Sequence, residues 1–354
     1  MFILTIGLFI ESIKHIAIIT PGFPENELDT VCIPALQLYV EALIMNGYTI
    51  TVFALHYPFS KKMYSWKGCM VIPLNGANSN VKRKLLLRRK LHKTFNKVHE
   101  KSCVDLIHCF WLNEATLFAH SLSLKHQLPL VATAMGQDVL DENKYKIRIL
   151  ELNIQMVLLS EFQAKFIGQN QHHIIPWGIK SPNVSTKEND LIFIGNLTSL
   201  KNPTYFLMLC NELINIGLNL TCVMVGNGLE FIACEKYIVR NGLNNVQLLG
   251  NCSYEKTQEL LSTSKLLIHC SSYESFGMIF IEALANQVHV ITNPVGFAYN
   301  NPHFYTLTFD LSQDTKTIIQ LLEMPVPEMK IYSIETTFQA YQKLYQKTIE
   351  NHNI

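Results

Sequence analysis

The 354-residue chain carries little charge and lacks most of the short motifs that announce a reaction. Charged residues are 16% of it against 48% hydrophobic, which excludes a disordered chain and suits a globular protein rich in buried sheet. A formal net charge of +1 supplies no global attraction to nucleic acid. The nine cysteines are odd in number and nowhere spaced C-x-x-C, which argues against a zinc site or a disulfide framework. Most lie in apolar runs, where a thiol acts as a small hydrophobe, so free thiols in a reducing cytoplasm are expected. No G-x-S-x-G elbow of a serine hydrolase occurs, and "VGNGLE" stops one glycine short of a dinucleotide fingerprint.

What is present is a regular alternation. After an apolar lead-in of about ten residues, too short to span a bilayer and lacking a basic flank, β-rich runs alternate with amphipathic stretches. The runs are "HIAIIT", "YTITVFAL", "DLIHCFW", "LPLVATAM", "NIQMVLLS" and "HHIIPW"; the series restarts with "DLIFIGN", "LTCVMVG", "VQLLGN", "KLLIHCS" and "VHVIT". The lead-in is read as packing ahead of the first strand, with a membrane-touching anchor as the minor alternative. Near-continuous apolar strands separated by helices predict parallel sheets covered on both faces. Eleven are too many for one ordinary sheet. "PWGIKSPNVSTKEND", residues 176–190, has no periodicity and reads as a linker. Two doubly wound α/β domains of about five or six parallel strands each are expected, with ligands in the crevice between them. In "SIETTFQAYQKLYQKTI", Ile334, Phe338, Tyr341, Leu344, Tyr345 and Ile349 mark one face of a closing helix, with Ser333 as its N-cap.

Two carboxylates stand out in "SSYESFGMIFIEALANQVHVIT", residues 271–292. The strand "KLLIHCSS" ends in a loop carrying Glu274, and a helix starts near Gly277 with Glu282 in its second turn. Free amides and the helix dipole at such a start favour an anion. Eight helical residues span roughly 12 Å, the reach from a sugar across a diphosphate to a ribose. Taken singly, the two acids would be a turn residue and a solvated helix residue.

The run "SSYESFGMIFIEALANQVHVITNPVGF" closely resembles the E-x7-E region of retaining glycosyltransferases of family 4, which have the GT-B architecture. The resemblance extends over most of the chain, through "FIGNLTSLKNP", "MVGNGLE", "NVQLLGNCSYEK", "DLIHCFW", "IPWGI" and the closing helix. It implies two Rossmann-like domains facing across a cleft: residues 14–177 for the acceptor, 178–330 for the nucleotide sugar, and a helix in 331–354 crossing back to the first domain. Glu274 matches the glutamate that contacts the transferred sugar, and Glu282 the one that binds the ribose. The amides of Phe276, Gly277 and Met278 would lie against the diphosphate, beside Gly195 and Asn196. Lys201 matches the cation that neutralises the departing diphosphate; read alone it is a solvated lysine at a helix start. Where the family usually has arginine, this chain has Asn196. In the first domain His108 survives from the family's H-x-H strand, with Phe110 at the second position. "ATAMGQD" carries Met135 for a histidine but keeps Gly136 and Asp138. His108 is weighed as a core residue or an acceptor-side group, and Asp138 as the better acceptor-side candidate.

A separate feature is "VKRKLLLRRKLHKTFNKV", residues 81–98, in which eight residues are Lys or Arg. Leu87, Leu91, Phe95 and Val98 form one helical face, and the other is basic. Peripheral contact with an anionic membrane and a plain solvated surface are both open; nucleic acid is disfavoured.

The resemblance therefore implies a cytoplasmic enzyme, peripheral on the inner face of the membrane if the basic helix touches lipid. It would move a sugar from a UDP- or GDP-linked donor to a sugar or lipid-linked sugar acceptor, with retention, in glycan, polysaccharide or glycolipid synthesis. No D-x-D occurs, so no metal or other cofactor is expected. The alternatives are a non-catalytic GT-B protein that binds nucleotide sugar or a partner, and a nucleotide-sugar epimerase on the same plan.

Overall fold

The computed structural model describes residues 14–77, 81–180, 185–326 and 332–352. The apolar lead-in before residue 14 and residues 181–184 of the linker lie outside the described residues. The first domain contains β1 (His15–Gly22), α1 (Pro34–Met45), β2 (Thr49–Tyr57), β3 (Tyr64–Trp66), β4 (Cys69–Pro73), α2 (Val81–Lys101), β5 (Leu106–Phe110), α3 (Glu114–His126), β6 (Leu130–Thr133), α4 (Lys146–Leu150), β7 (Gln155–Leu158), α5 (Glu161–Ala164) and β8 (His173–Ile174). The second has β9 (Asn189–Ile194), α6 (Pro203–Asn215), β10 (Cys222–Val225), α7 (Phe231–Arg240), β11 (Val246–Gly250), α8 (Tyr254–Ser262), β12 (Ser264–His269), α9 (Met278–Ala285), β13 (His289–Thr292), β14 (Tyr305–Thr306) and α10 (Leu311–Glu323). A last helix, α11 (Ile334–His352), follows.

The sheets run β3-β4-β2-β1-β5-β6-β7-β8 and β11-β10-β9-β12-β13-β14. Each order reverses beside its first strand, so a crevice opens there at the carboxyl edge. The first sheet is larger than the five or six parallel strands expected, and one of its pairs is antiparallel. β3 and β4 form a hairpin whose two-residue turn, Lys67-Gly68, holds φ of 45° and 93°. That turn matches the twist of a tight hairpin, and the buried Trp66 fixes it to the core.

The domains are coupled in several places. At the crossing, Ile179 N–H donates to Tyr332 O (2.9 Å) and Ile334 N–H to Ile179 O (3.1 Å), so the outgoing and returning chains lie side by side. A Cβ on Gly178 would come 2.1 Å from Ser333 O, so only glycine fits there. Elsewhere Phe276, Ile281 and Ala285 of the second domain are embedded in the hydrophobic cluster of the first, among Phe110, Val157, Leu159 and Trp177. Helix α11 buries Phe338, Tyr341, Leu344 and Tyr345 in the same cluster. Among the described residues no helix is long and apolar enough to cross a membrane.

Candidate active site

A cleft of about 570 Å³ lies between the domains. From the first domain it is walled by Ile33, Pro34, Ala35 and Leu38 at the start of α1; the second supplies Gly195, Asn196, Lys201, Glu274, Gly277, Met278 and Glu282. The chain therefore brings seven of the ten sequence-predicted site residues to one wall. Phe276, Asp138 and His108 are not part of that lining.

Local chemistry explains the placement. Lys201 precedes Asn202, which sits at φ 46° as the N-cap of α6, with Pro203 at the first helical turn. Proline there fixes the entry direction and gives up no needed N–H, so the turn presents Lys201 to the cleft. On the opposite segment Gly277 is the N-cap of α9 at φ 79°. A Cβ there would meet the Phe280 ring at 2.6 Å. Phe280 N–H donates to Gly277 O (2.9 Å); the amides of Met278 and Ile279, in the first turn, precede any intrahelical acceptor. That helix start faces the cleft, where it favours negative charge.

Glu274 is the electrostatic centre. Its Oε1 accepts from the ammonium of Lys201 and from Nε2 of His269, the latter at 2.7 Å. Burial pushes the carboxyl up, but the hydrogen bond and charge of His269, with the charge and hydrogen bond of Lys201, overcome this and hold it at about 2. Burial lowers His269 below its ordinary value, against the pull of Glu274. The His269 proton on Nε2 points at the Glu274 carboxylate. The other ring nitrogen, Nδ1, is buried with no partner among the described residues. Glu282 lies in the opposite regime. It is buried, its Oε1 accepts from Tyr254 OH at 3.3 Å, and burial raises its carboxyl, which hydrogen bonding only partly offsets.

The loop bearing Glu274 is tied across to the first domain. Tyr273 OH donates to Gly136 O (2.8 Å), Ser275 Oγ to Met135 O (2.9 Å), and Ser160 Oγ to Ser275 O (2.5 Å). Phe276 turns into the first-domain cluster, and its carbonyl accepts from Phe297 N–H (2.8 Å). Gly296 lets these chains touch: at φ 54°, a Cβ would lie 2.5 Å from Phe276 O.

The two acceptor-side candidates occupy structural positions. Asp138 directs both oxygens at backbone amides, from Leu112 (2.7 Å), Gly136 (2.6 Å) and Met135 (3.2 Å). Burial nevertheless pushes its carboxyl up against those donors. His108 is fully buried beneath α11, with Nδ1 on Tyr345 OH (2.5 Å) and Nε2 on Thr133 Oγ1 (2.8 Å), and burial holds it at about 3. Asp138 thus spends its oxygens on amides of its own segment, whereas His108 takes the core position that was one of its two expected placements, bonded to Thr133 on β6 and Tyr345 on α11.

Sequence reasoning missed His269, Tyr254, Gln258 and the α1 wall. For His269 the signal was a lone histidine in the apolar strand "KLLIHCS", five residues before the glutamate. Ile33 is the least foreseeable, a β-branched residue at φ 53° as the N-cap of α1. Among the described residues no group of three or more His, Cys, Asp or Glu side chains converges as a metal site.

Two family models match consecutive parts of the chain: "Glycosyl transferase 4-like" over residues 27–168 and "Glycosyl transferases group 1" over 178–299. The chain belongs to the group 1 glycosyltransferases. The group 1 match contains every second-domain cleft residue named above. Among relatives, the chain is 22% identical over 216 residues to an uncharacterized glycosyltransferase of Methanocaldococcus jannaschii, covering 58% of this chain and 60% of that protein. It is 27% identical over 150 residues to the phosphatidylinositol N-acetylglucosaminyltransferase GPI3 subunit of Saccharomyces cerevisiae, 40% of this chain and 33% of that one. The chain thus matches less than two thirds of the length of either relative. Sucrose-phosphate synthase from Thermosynechococcus elongatus superposes with a TM-score of 0.71 at 18% identity, covering 96% of this chain and 94% of its own. The glycosyltransferase fold is GT-B.

Proposed function

We propose that this group 1 glycosyltransferase moves a sugar from a nucleoside diphosphate to an acceptor hydroxyl, with retention at the anomeric carbon and without a metal. The observation that carries the reading is the meeting of Lys201, Glu274, the start of α9 and Glu282 in one interdomain cleft. The diphosphate would sit against the amides of Met278 and Ile279, with the ribose hydroxyls on Glu282 and the sugar on Glu274. As the sugar–phosphate oxygen bond breaks, its electron pair goes to the phosphate oxygen, and Lys201 and the helix amides meet that charge. The acceptor hydroxyl attacks from the same face, and the leaving phosphate takes its proton. The donors are fixed before reaction, and closure over the cleft excludes water. UDP- and GDP-sugars are the candidate donors. Sugars and lipid-linked sugars are the candidate acceptors, in glycan, polysaccharide or glycolipid synthesis on the cytoplasmic side.

A thermal-shift panel of nucleoside diphosphates and their sugars tests the binding, since a ligand of the native state raises Tm. Incubation of the stabilising donor with candidate acceptors, followed by NMR of the anomeric proton, tests transfer and retention. Inversion, or loss of activity in chelator, would refute those parts of the reading. One observation favours a second reading, a non-catalytic nucleotide-sugar binder: Asn196 stands exposed where a second cation is usual, and Lys201 is already engaged by Glu274. Donor binding with neither transfer nor slow hydrolysis would decide for it.

A further inference from the structure

Helix α2 packs one side onto its sheet. Leu87, Leu91 and Phe95 are buried, and the Phe95 ring lies 5.7 Å from that of Phe53 on β2. Two cations of the helix are engaged inward, Lys84 with Glu114 and Tyr145, and Lys90 with the Leu74 carbonyl. The outward side differs. At about 100° per residue, Leu85, Leu86, Arg89, Lys93 and Lys97 fall in one sector of roughly 120°, with Arg88 at its flank. All six are exposed, the leucines by 52% and 60%. Among the described residues none of these four cations has a carboxylate within ion-pair distance, and no Asp or Glu occurs between residues 81 and 98.

A second segment extends the surface. The turn after β2 exposes Phe59 by 69% and Met63 by 65%, with Lys61 and Lys62, also exposed, between them. It follows directly on the end of β2, which lies against the first turn of α2: His56 and Lys84 meet on Glu114 Oε1, at 3.4 and 2.7 Å. The turn and the first turns of α2 sit toward the carboxyl edge of the first sheet, since β2 runs into the turn and β4 leads toward α2.

We propose that this face docks on a bilayer containing anionic lipid, the cations at the headgroups and Leu85, Leu86, Phe59 and Met63 in the acyl boundary. Charge complementarity selects the sign of the surface, and the apolar side chains select its kind. A folded polyanion would satisfy the lysines and arginines alone and leave four large apolar groups in water, whereas the bilayer interface takes both. The docking goes beyond the transfer reaction and does not depend on it.

The test is co-sedimentation of the full chain with phosphatidylcholine vesicles, with and without phosphatidylglycerol, at low and high salt. Binding is expected only with phosphatidylglycerol, weakening as salt rises. At about 1 kcal/mol per basic side chain, Arg89→Ser, Lys93→Ser and Lys97→Ser together should lower the partition roughly a hundredfold. Leu85→Ser with Leu86→Ser should also weaken it, and both variants should keep the parent Tm. The proposal is overturned by absence of binding at low salt, by equal binding to neutral vesicles, or by a triple variant that folds and still binds. It is overturned too if the leucine variant binds unchanged and duplex RNA competes fully, which would make the face a general polyanion surface.

Discussion

Replacing Glu274 with Gln keeps the shape of the side chain and a hydrogen bond from His269, and removes the charge that faces Lys201. The carboxyl is held at about 2 against an ordinary 4.5. At 1.36 kcal/mol per pH unit that displacement corresponds to about 3 kcal/mol. The Lys201 side chain is 19% exposed and can turn to water once its partner is neutral, so a loss of about 2 kcal/mol is expected at pH 7. The sign follows from the direction. A carboxyl depressed in the folded state contributes stability above its unfolded value, about 4.3, and loses it as pH falls toward 2. Urea unfolding of parent and variant should therefore differ by about 2 kcal/mol at pH 7 and by about half of that at pH 3. Ligand binding separates this role from a merely structural one. With Glu274 neutral, Lys201 is no longer shared, so nucleoside diphosphate measured by calorimetry should bind at least as tightly. Turnover, by contrast, should fall by about 10²–10³. A variant that is equally stable at pH 7, or that binds the diphosphate more weakly than the parent, would refute the reasoning.

Glu282→Ala should act oppositely, weakening donor binding by at least tenfold, about 1.4 kcal/mol, with a smaller effect on turnover of saturated enzyme; titration with donor reads both. Because burial raises the Glu282 carboxyl, its ionisation opposes folding as pH rises through its folded value, so Glu282→Gln should be no less stable than the parent at pH 7 by thermal melting. Ile33→Gly relieves a left-handed backbone worth about 1–2 kcal/mol, but it adds roughly 1 kcal/mol of chain entropy and removes a half-buried side chain packed on the first-domain cluster, about 1 kcal/mol, so its urea midpoint should fall slightly. Gly296→Ala puts a methyl group against the Phe276 carbonyl and should cost about 2 kcal/mol or more in unfolding free energy.

The parts of the molecule legible in the sequence are those governed by local pattern. Buried strands such as "HIAIIT" and "DLIFIGN" declare themselves because sheets covered on both faces need continuous apolar runs. The start of α9 is readable because Gly277 breaks the strand-to-helix turn at a place only glycine tolerates. The β3–β4 hairpin escaped because its strands are three and five residues long and its signal rests on one Lys-Gly pair. The Glu274–His269–Lys201 cluster joins two strand-end loops more than seventy positions apart, as the Lys201 bond shows, and no local periodicity encodes that. Asp138 illustrates the converse. Its place at a strand end suggested a ligand-facing acid, yet three amides of its own neighbourhood occupy both of its oxygens.

Phe276, Ile281 and Ala285 belong by sequence to one Rossmann-like unit and by burial to the other. A cut near residue 178 would therefore yield two fragments, one with bare Phe and Ile side chains and one with the vacancy they had filled, at about 1.5–3 kcal/mol for each large group stranded in water. The halves are interlocked: the seam they share passes beside the glutamate loop, whose Tyr273 and Ser275 are bonded across it to Gly136, Met135 and Ser160.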